Sequence, residues 1–562
     1  MVLSGLALIL VTALFPCESV SGEGVSAQVT ARLRQRITSS PGAQQVACRG
    51  EKLCGSEVIP RFYQHRSFRP AWSSHGALGS QAHLLIEAIH GAQQEGLHPQ
   101  DYHLANIQKL TAKIQKGTAR REGIWPKELA DLDLLLTDAF LLYAFHLSAG
   151  RVNPETFQAE WFIKIREVDL VDLLQTALKE DQVVEALENL RPKHTGYEGL
   201  KRALQDYQGI LERGGWPMVP VGTPMQQGDQ GIRVEALRSR LVVSGDLTAS
   251  EEGHDELFDA VLKGAVCRFQ KRHGLKVDGI VGPVTLAALN VPAQQRVSQI
   301  RLNLERWRWL PRDFGRRYLL VNIAGFELNV IEDGRVKTTM RVIAGTTARR
   351  TPVFSGRLAY MELNPYWHIP PSIAKEDILP RLRKDPKYLI RENIRVFRGW
   401  AREAPEVDPA SVDWSQVTPE RFSFKLRQEP GPSNALGRIK FMFPNKFDVY
   451  LHDTPGRELF NHNMRSFSSG CIRIENPIEL AEYLLRGQPE WNREKIAAAV
   501  HSKKTHIVWI AEPIAIHILY WTAWVDDYGT VHLRDDVYGR DTPLDEALKK
   551  GPPNPEQISR IL

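Results

Sequence analysis

The residues of this chain best suited to chemistry lie between Tyr450 and Pro477, in YLHDTPGRELFNHNMRSFSSGCIRIENP. Cys471 follows two serines and a glycine, and His452 stands 19 residues upstream. A thiol near its ordinary pKa of about 8.5 is mostly protonated at neutral pH, so a nucleophilic cysteine needs a base or a positive charge beside it. His452, at a strand end, is placed to supply that base. Ser468-Ser469-Gly470 reads as a tight turn in which Gly470 takes backbone angles that a bulky residue resists. Such a turn can aim successive N–H groups at one point, forming an oxyanion hole at Gly470 and Cys471. One such donor is worth about 2.7–4 kcal/mol of transition-state stabilisation. Arg473 offers a planar fork of donors that suits a substrate carboxylate. Two other readings stand beside this one. The first is a buried structural cysteine with a hydrogen-bonded strand histidine. The second is a metal site of His452, Asp453, His462 and Cys471, which lacks the paired spacings of zinc sites.

Strands and turns must hold such a group, and the flanking sequence supplies them. From Tyr318 the hydrophobic period is two: YLLVNIAGFELNVIEDGRVKTTMRVIAG reads as strand, Asp333-Gly334 hairpin turn and strand. Further strand-like segments lie at Arg357–Asn364, Gly437–Phe443, Phe447–His452 and His506–Ile510. Together they predict a mostly-β domain over residues 300–511. Within it, residues 372–429 are charged and partly helical, and an insertion of that length tends to form a lid over a site. Ile478–Val500 supplies one or two helices after the cysteine. The apolar run His506–Val525 has the length of a membrane span, but Glu512, Pro513 and His517 interrupt it. It reads as two buried strands joined at a break. Residues 512–562 are expected to form a C-terminal extension packed on the preceding domains.

Over residues 22–220 apolar positions recur three and four apart, as in LLIEAIHGAQQEGL and LADLDLLLTDAFLLYAFHLSAGRVNP, which predicts a helical scaffold domain. A compact unit follows over 225–292. There Val234, Leu237 and Leu241 share one helical face, and Phe258, Val261, Ala265 and Phe269 share another. Asp278-Gly279 supplies a turn, and Gly282-Pro283 opens a third helix that ends at Asn290. This three-helix bundle resembles the peptidoglycan-binding domain found beside many cell-wall enzymes. It carries the G-x-x-V-x-x-L-x-x-x-L opening and the F-Q-x-x-x-G-L-x-V-D-G-x-x-G-P-x-T close.

The whole chain is a multidomain α+β protein on these patterns, and its 562 residues suit several domains. A net charge of +6 is spread along the chain with no long basic run, which argues against nucleic acid as a partner. Residues 1–21 combine an apolar core, Val2 to Phe15, with small residues at Ser19-Val20-Ser21, and read as an export signal or anchor. No Lys or Arg precedes Arg32, and Pro16 stands where a lipoprotein signal would want a small residue before Cys17. The expected location is the periplasm or cell envelope, with membrane anchoring left open. In such a compartment Cys48 and Cys54 are close enough for a small disulfide loop, and Cys267 reads as core packing. Cys471 is then an odd thiol that needs a reason.

HDTPGRELFNHNMRSFSSGCIRIENP resembles the active-site signature of the L,D-transpeptidases of the YkuD fold, a histidine followed by a [Ser/Thr]-x-Gly-Cys-x-Arg/Asn box. RVIAGTTARRTPVFSG, LNPYWHIPPSIAKEDILP, PGPSNALGRIKFMFPN and YWTAWVDDYGTVHLRDDVYGRD resemble the large exported members that carry a lid. The resemblance implies Cys471 as nucleophile, His452 as general base, and Ser469, Gly470 and Cys471 as the oxyanion turn. It places Arg473 near the substrate pocket, and Tyr366 and Trp367 near the donor site. Ser469 stands where many members have histidine, and Asp453 where a glycine is frequent. The implied reaction joins third-position residues of two peptidoglycan stems through a Cys thioester and releases D-alanine. It uses neither metal nor organic cofactor, and carbapenems are implied as covalent inhibitors. An L,D-carboxypeptidase and a non-catalytic wall-binding scaffold are the alternatives.

Overall fold

The computed structural model describes residues 22–39, 47–49, 51–53, 55, 58–120, 125–157, 161–163, 168–248, 256–401 and 403–550. The expected signal over 1–21, with Cys17, and the candidate disulfide partner Cys54 lie outside these residues.

The N-terminal region is helical and is built around Pro126–Ala149, a helix long and apolar enough to cross a membrane by length and composition. Here it is the buried centre of the domain. Its buried acids are satisfied, as buried charge requires, Glu128 by Lys113 at 2.8 Å. Asp131 takes Arg36 and Arg49, at 2.5 and 2.9 Å. Asp133 accepts from Tyr63 Oη at 2.6 Å and from the Ala71 and Trp72 amides. Asp138 takes the Gly55 amide at 2.6 Å and His103 at 2.7 Å. Cys48 is a free, buried thiol bonded to the Asp131 carbonyl at 3.6 Å, and burial pushes its pKa up to about 12.

The three-helix unit consists of Ile232–Val243, Ala260–Arg272 and Pro283–Leu289. Val234, Leu237, Leu241, Phe258, Ala265 and Phe269 enter its core as expected. Val261 does not, being 62% exposed. The Asp259 side chain caps the second helix by accepting from Leu262 N at 2.7 Å. Phe258 therefore precedes the helix and its spacing does not set the helical face; Leu262 and Val266 take the core positions. Cys267 sits on the half-buried flank of that helix rather than in the core.

The C-terminal half is the β-rich domain. Its first predicted strand is two, Arg317–Asn322 and Glu327–Glu332, because Ile323 to Phe326 turns the chain. The Asp333-Gly334 turn then leads into Arg335–Gly345. The nine strands of the sheet run, in spatial order, Ser466–Ser468, Arg335–Gly345, Ile472–Ile474, Leu451–His452, Ile439–Met442, Phe354–Leu363, His506–Leu519, Arg317–Asn322 and Glu327–Glu332. Pairing of Glu327–Glu332 with Arg335–Gly345 joins the two sides of this order. The segment 447–450 is loop, not strand. Asn445 Nδ2 donates to the Phe443 and Val449 carbonyls, at 2.6 and 2.7 Å, and Asn445 Oδ1 accepts from Phe447 N at 3.0 Å. That local bonding competes with the ladder.

His506–Leu519 is one continuous strand on Phe354–Leu363, with a bulge between Trp509 and Ile514 that contains Pro513. The expected break is thus a bulge, and the domain boundary at 511/512 falls inside the strand. Its first half is not buried on both sides: Ile507 and Trp509 are more than half exposed. The insertion begins at Trp367, earlier than residue 372, and contains an unforeseen four-stranded sheet. Its strands are Glu406–Val407, Ile394–Arg398, Phe424–Gln428 and Trp367–His368. These strands are short, with charged residues alternating outward over a core of Leu382, Leu389, Val396, Trp414 and Leu426.

Candidate active site

Strand register gathers the candidate residues. Leu451–His452 runs parallel to Ile472–Ile474, with Leu451 opposite Ile472 and His452 opposite Arg473. Side chains alternate across a strand, so Leu451 and Ile472 point into the core, where both are fully buried. Tyr450, His452, Cys471 and Arg473 therefore share the other face. On the far side of His452, Lys440 of Ile439–Met442 is its register partner and lies over the Tyr450 ring at 4.4 Å.

Cys471 is half-buried, and its thiol donates to the Asp448 carbonyl at 3.7 Å. The Tyr450 backbone N–H and hydroxyl lie near enough to the sulfur to favour its thiolate. Burial raises the Cys471 pKa, partly opposed by those donors. His452 is buried, and its Nδ1 donates to the Asp453 carbonyl at 2.5 Å. A backbone carbonyl thus orients the imidazole, and Nε2 is the nitrogen left to accept a proton. Burial, then the Arg473 charge, pushes the His452 pKa down to about 3. The thiol bonds Asp448 rather than His452, so the two share a face with no hydrogen bond between them. Catalytic hydrogen bonds are often this loose before substrate binds.

A neutral buried histidine carries a consequence for stability. Its folded pKa lies below the unfolded value near 6.5, so its contribution is present above pH 6.5 and is lost as pH falls from 6.5 towards 3. His517, pushed down to about 4 by burial, acts in the same direction. Melting temperature should therefore fall steeply between pH 6 and 4, which a thermal-denaturation series reads directly.

Gly470 has φ +114, in the left-handed region where a side chain is strained, as its place in the turn predicted. Its amide, expected to face an oxyanion, instead donates to Ser468 Oγ at 3.2 Å, and Ser468 Oγ donates to the Cys471 carbonyl at 2.5 Å. The short Ser468 side chain can reach back into the turn, which is why that donor is occupied. Ser469 is exposed and points away from this bonding, towards Arg349. Arg473 is half-buried, and its Nε is enclosed without a hydrogen-bond partner. Trp367 reaches the site beside the Tyr450 hydroxyl. Tyr366 does not: its ring stacks on Arg427 of the insertion at 4.8 Å. His462 lies in an exposed loop against Phe467, and Asp453 accepts from Arg438 N and Arg457, so the four metal candidates do not converge. Among the described residues no group of three His, Cys, Asp or Glu is disposed to hold an ion.

Several supporting residues escaped the sequence reading. Thr351 Oγ1 donates to the Gly470 carbonyl at 2.8 Å and accepts from Gly345 N at 2.9 Å. Tyr538 Oη donates to the Gly345 carbonyl at 2.7 Å and accepts from Thr351 N at 3.2 Å. A Cβ on Gly345 would meet the Arg349 carbonyl at 2.1 Å, so only glycine fits that approach. Tyr450 and Lys440 could have been found, since Tyr450 alternates with His452 along the chain. Thr351 and Tyr538 are 187 residues apart and carry no local signal. Tyr538→Phe leaves two buried backbone groups unpaired, and unfolding of this domain should become easier by about 1–3 kcal/mol, measurable by denaturant titration.

Three domain families match the chain. The L,D-transpeptidase catalytic domain, YkuD, matches residues 316–491, which contain every candidate site residue. The chain carries a YkuD L,D-transpeptidase catalytic domain. The "Putative peptidoglycan binding domain" matches residues 230–289, and the Scaffold domain matches 57–204. The chain is 36% identical over 249 residues to a Haemophilus influenzae protein named "Putative L,D-transpeptidase", a match covering 44% of this chain and 49% of that one. It thus spans about half the length of that relative. A second match, 41% identical over 75 residues, is to the N-acetylmuramoyl-L-alanine amidase CwlM of Mycobacterium tuberculosis, covering 12% of this chain and 18% of that protein. A solved L,D-transpeptidase of Xylanimonas cellulosilytica aligns over 53% of this chain and 99% of its own, at 16% identity and a TM-score of 0.17. That likeness is too low to carry an argument. The matched span 316–491 also includes the inserted subdomain, the expected lid.

Proposed function

We propose that the YkuD domain joins two peptidoglycan stems through a thioester on Cys471, forming a cross-link between third-position residues. The observation that carries this reading is the placement of Tyr450, His452, Cys471 and Arg473 on one sheet face. Cys471 Sγ attacks the carbonyl of the third residue of a tetrapeptide stem, and its proton passes to His452 Nε2. The bond to the terminal D-alanine breaks, and the leaving amine takes that proton from His452. The amine of a second stem then attacks the thioester; its proton returns through His452 to the departing sulfur. No water, metal or redox equivalent is consumed.

The electrostatics favour a neutral resting pair. The thiol is raised and the imidazole lowered, so proton transfer accompanies attack rather than preceding it. As charge develops on sulfur, the nearby Tyr450 N–H and hydroxyl favour it. Arg473, half-buried and opposite His452 in the register, is the cation proposed to meet a substrate carboxylate. The bundle over 230–289 would hold the enzyme to the wall that it cross-links. An envelope location follows from that substrate, and the apolar N-terminal segment is its proposed export signal or anchor.

The test is mass spectrometry of products from disaccharide tetrapeptide, with Cys471→Ala as control. The expected product is a dimer linked through third-position residues, with one D-alanine released per link. Tripeptide alone would replace the transferase with an L,D-carboxypeptidase, and no Cys471-dependent product would leave a wall-binding scaffold.

A further inference from the structure

Arg349 follows the strand Arg335–Gly345 and reaches three side chains at once. Its Nη1 lies 2.5 Å from Asp377 Oδ2 and 2.9 Å from Ser469 Oγ. Its Nη2 lies 2.9 Å from Asp377 Oδ1 and 2.7 Å from Glu376 Oε2. The two acids belong to the lid, on the π-helical turn Ala374–Ile378, and Ser469 lies in the turn that carries Cys471. One guanidinium therefore connects the lid to the nucleophile's turn. Its loop is tied to that turn from below as well: Thr346 N donates to the Ser468 carbonyl at 3.0 Å, and Thr351 Oγ1 donates to the Gly470 carbonyl.

We propose that Arg349 is a positioning residue and a latch: closing the lid brings Glu376 and Asp377 onto its fork, which fixes the Ser469 contact and sets the turn for attack. This rests on the proposed transpeptidation for its kinetic consequence, but not for the contact itself. The fork geometry suits the task, because a bidentate carboxylate fixes the guanidinium plane and leaves one Nη1 hydrogen for Ser469. A lysine could not hold all these partners in one plane. The strength also suits it. The side chains of Arg349, Asp377 and Glu376 are 28%, 35% and 60% exposed, and partly exposed ion pairs hold weakly. Such a contact can form and release during a catalytic cycle, as a lid over a substrate site must. A π turn in the lid helix at the same two acids is a further departure from regular structure at the contact. The exposed Ser469, found where many relatives of the resembled family carry histidine, is here the latch's receiving group.

The experiment compares hydrogen exchange of lid residues 371–391 with acylation rates at Cys471, in the full chain. Arg349→Ala, and Glu376→Gln with Asp377→Asn, should each speed lid exchange by about 5-fold or more and slow acylation by roughly 10- to 100-fold. Ser469→Ala should slow acylation without altering lid exchange. Adding the acid substitutions to Arg349→Ala should change nothing further, and Arg349→Lys should restore part of both effects. Raising salt from 0.1 to 1 M, which shortens the screening length from about 10 to 3 Å, should reproduce the acid variants. Unchanged lid exchange in Arg349→Ala and in the acid variant would overturn the latch. So would strictly additive effects on acylation, or a merely lowered melting temperature with normal acylation. If the unsubstituted chain acylates with no stem peptide, the proposed reaction fails, and lid exchange together with alkylation of Cys471 by iodoacetamide still decides the latch.

Discussion

Replacing Cys471 by alanine should abolish turnover, by at least about 10^4-fold, while leaving the fold intact. The size follows from the proposed mechanism, in which Cys471 Sγ is the atom that forms the thioester; deletions of such nucleophiles remove nearly all of the chemical rate. The fold survives because Cys471 is half-buried and its one thiol bond, to the Asp448 carbonyl, is long. The adjoining Ile472 and Ile474 carry the packing. Serine at 471 should fare little better than alanine. A hydroxyl is far less acidic than a thiol, and a histidine held down to about 3 is a weak base. Steady-state rates on disaccharide tetrapeptide, beside melting curves, measure both parts.

His452→Gln should produce the second large effect, a fall in kcat of about 10^2- to 10^4-fold, the usual range for a general acid–base group. Glutamine keeps much of the volume and a donor for the Asp453 carbonyl, so loss of packing does not explain the fall. The same variant changes stability with a definite sign. His452 in the native state stays neutral far below the pH at which an unfolded histidine charges, so it destabilises the fold progressively as pH falls from 6.5 towards 3. Glutamine does not titrate, and His452→Gln should flatten that part of the curve. The kinetic acid limb of the unsubstituted enzyme should likewise lie near 3 rather than near 6.5, so activity persists in mild acid. A variant that loses activity and keeps the original acid destabilisation would assign the buried charge elsewhere.

Period and punctuation carried the main fold. Three- and four-residue spacing marked the helical scaffold, turn residues marked the three-helix unit, and period two with Asp333-Gly334 marked the β domain. Local competition produced the misses. The Asp259 cap moved the start of one helix and turned Val261 outward. Asn445 closed a loop where a strand was expected, and Pro513 was absorbed by a bulge instead of breaking the strand. In the site, the strand histidine and the glycine turn were visible because each is a local feature of residue type. The orientation of His452 was not, because its partner is a carbonyl that every residue carries. Nor was the support from Thr351, Tyr538 and Arg349, which the fold brings from distant parts of the chain. The present partner of the Gly470 amide was not legible for the opposite reason: a neighbouring side chain, Ser468, is close enough to take it.

The most direct test of the central claim is intact-protein mass spectrometry of the enzyme quenched in acid during turnover of disaccharide tetrapeptide, followed by peptide mapping. The account predicts one added mass, that of the stem less its terminal D-alanine, on the peptide containing Cys471 and absent from Cys471→Ala. Product formed with no adduct at Cys471, or with an adduct on another residue, would contradict it.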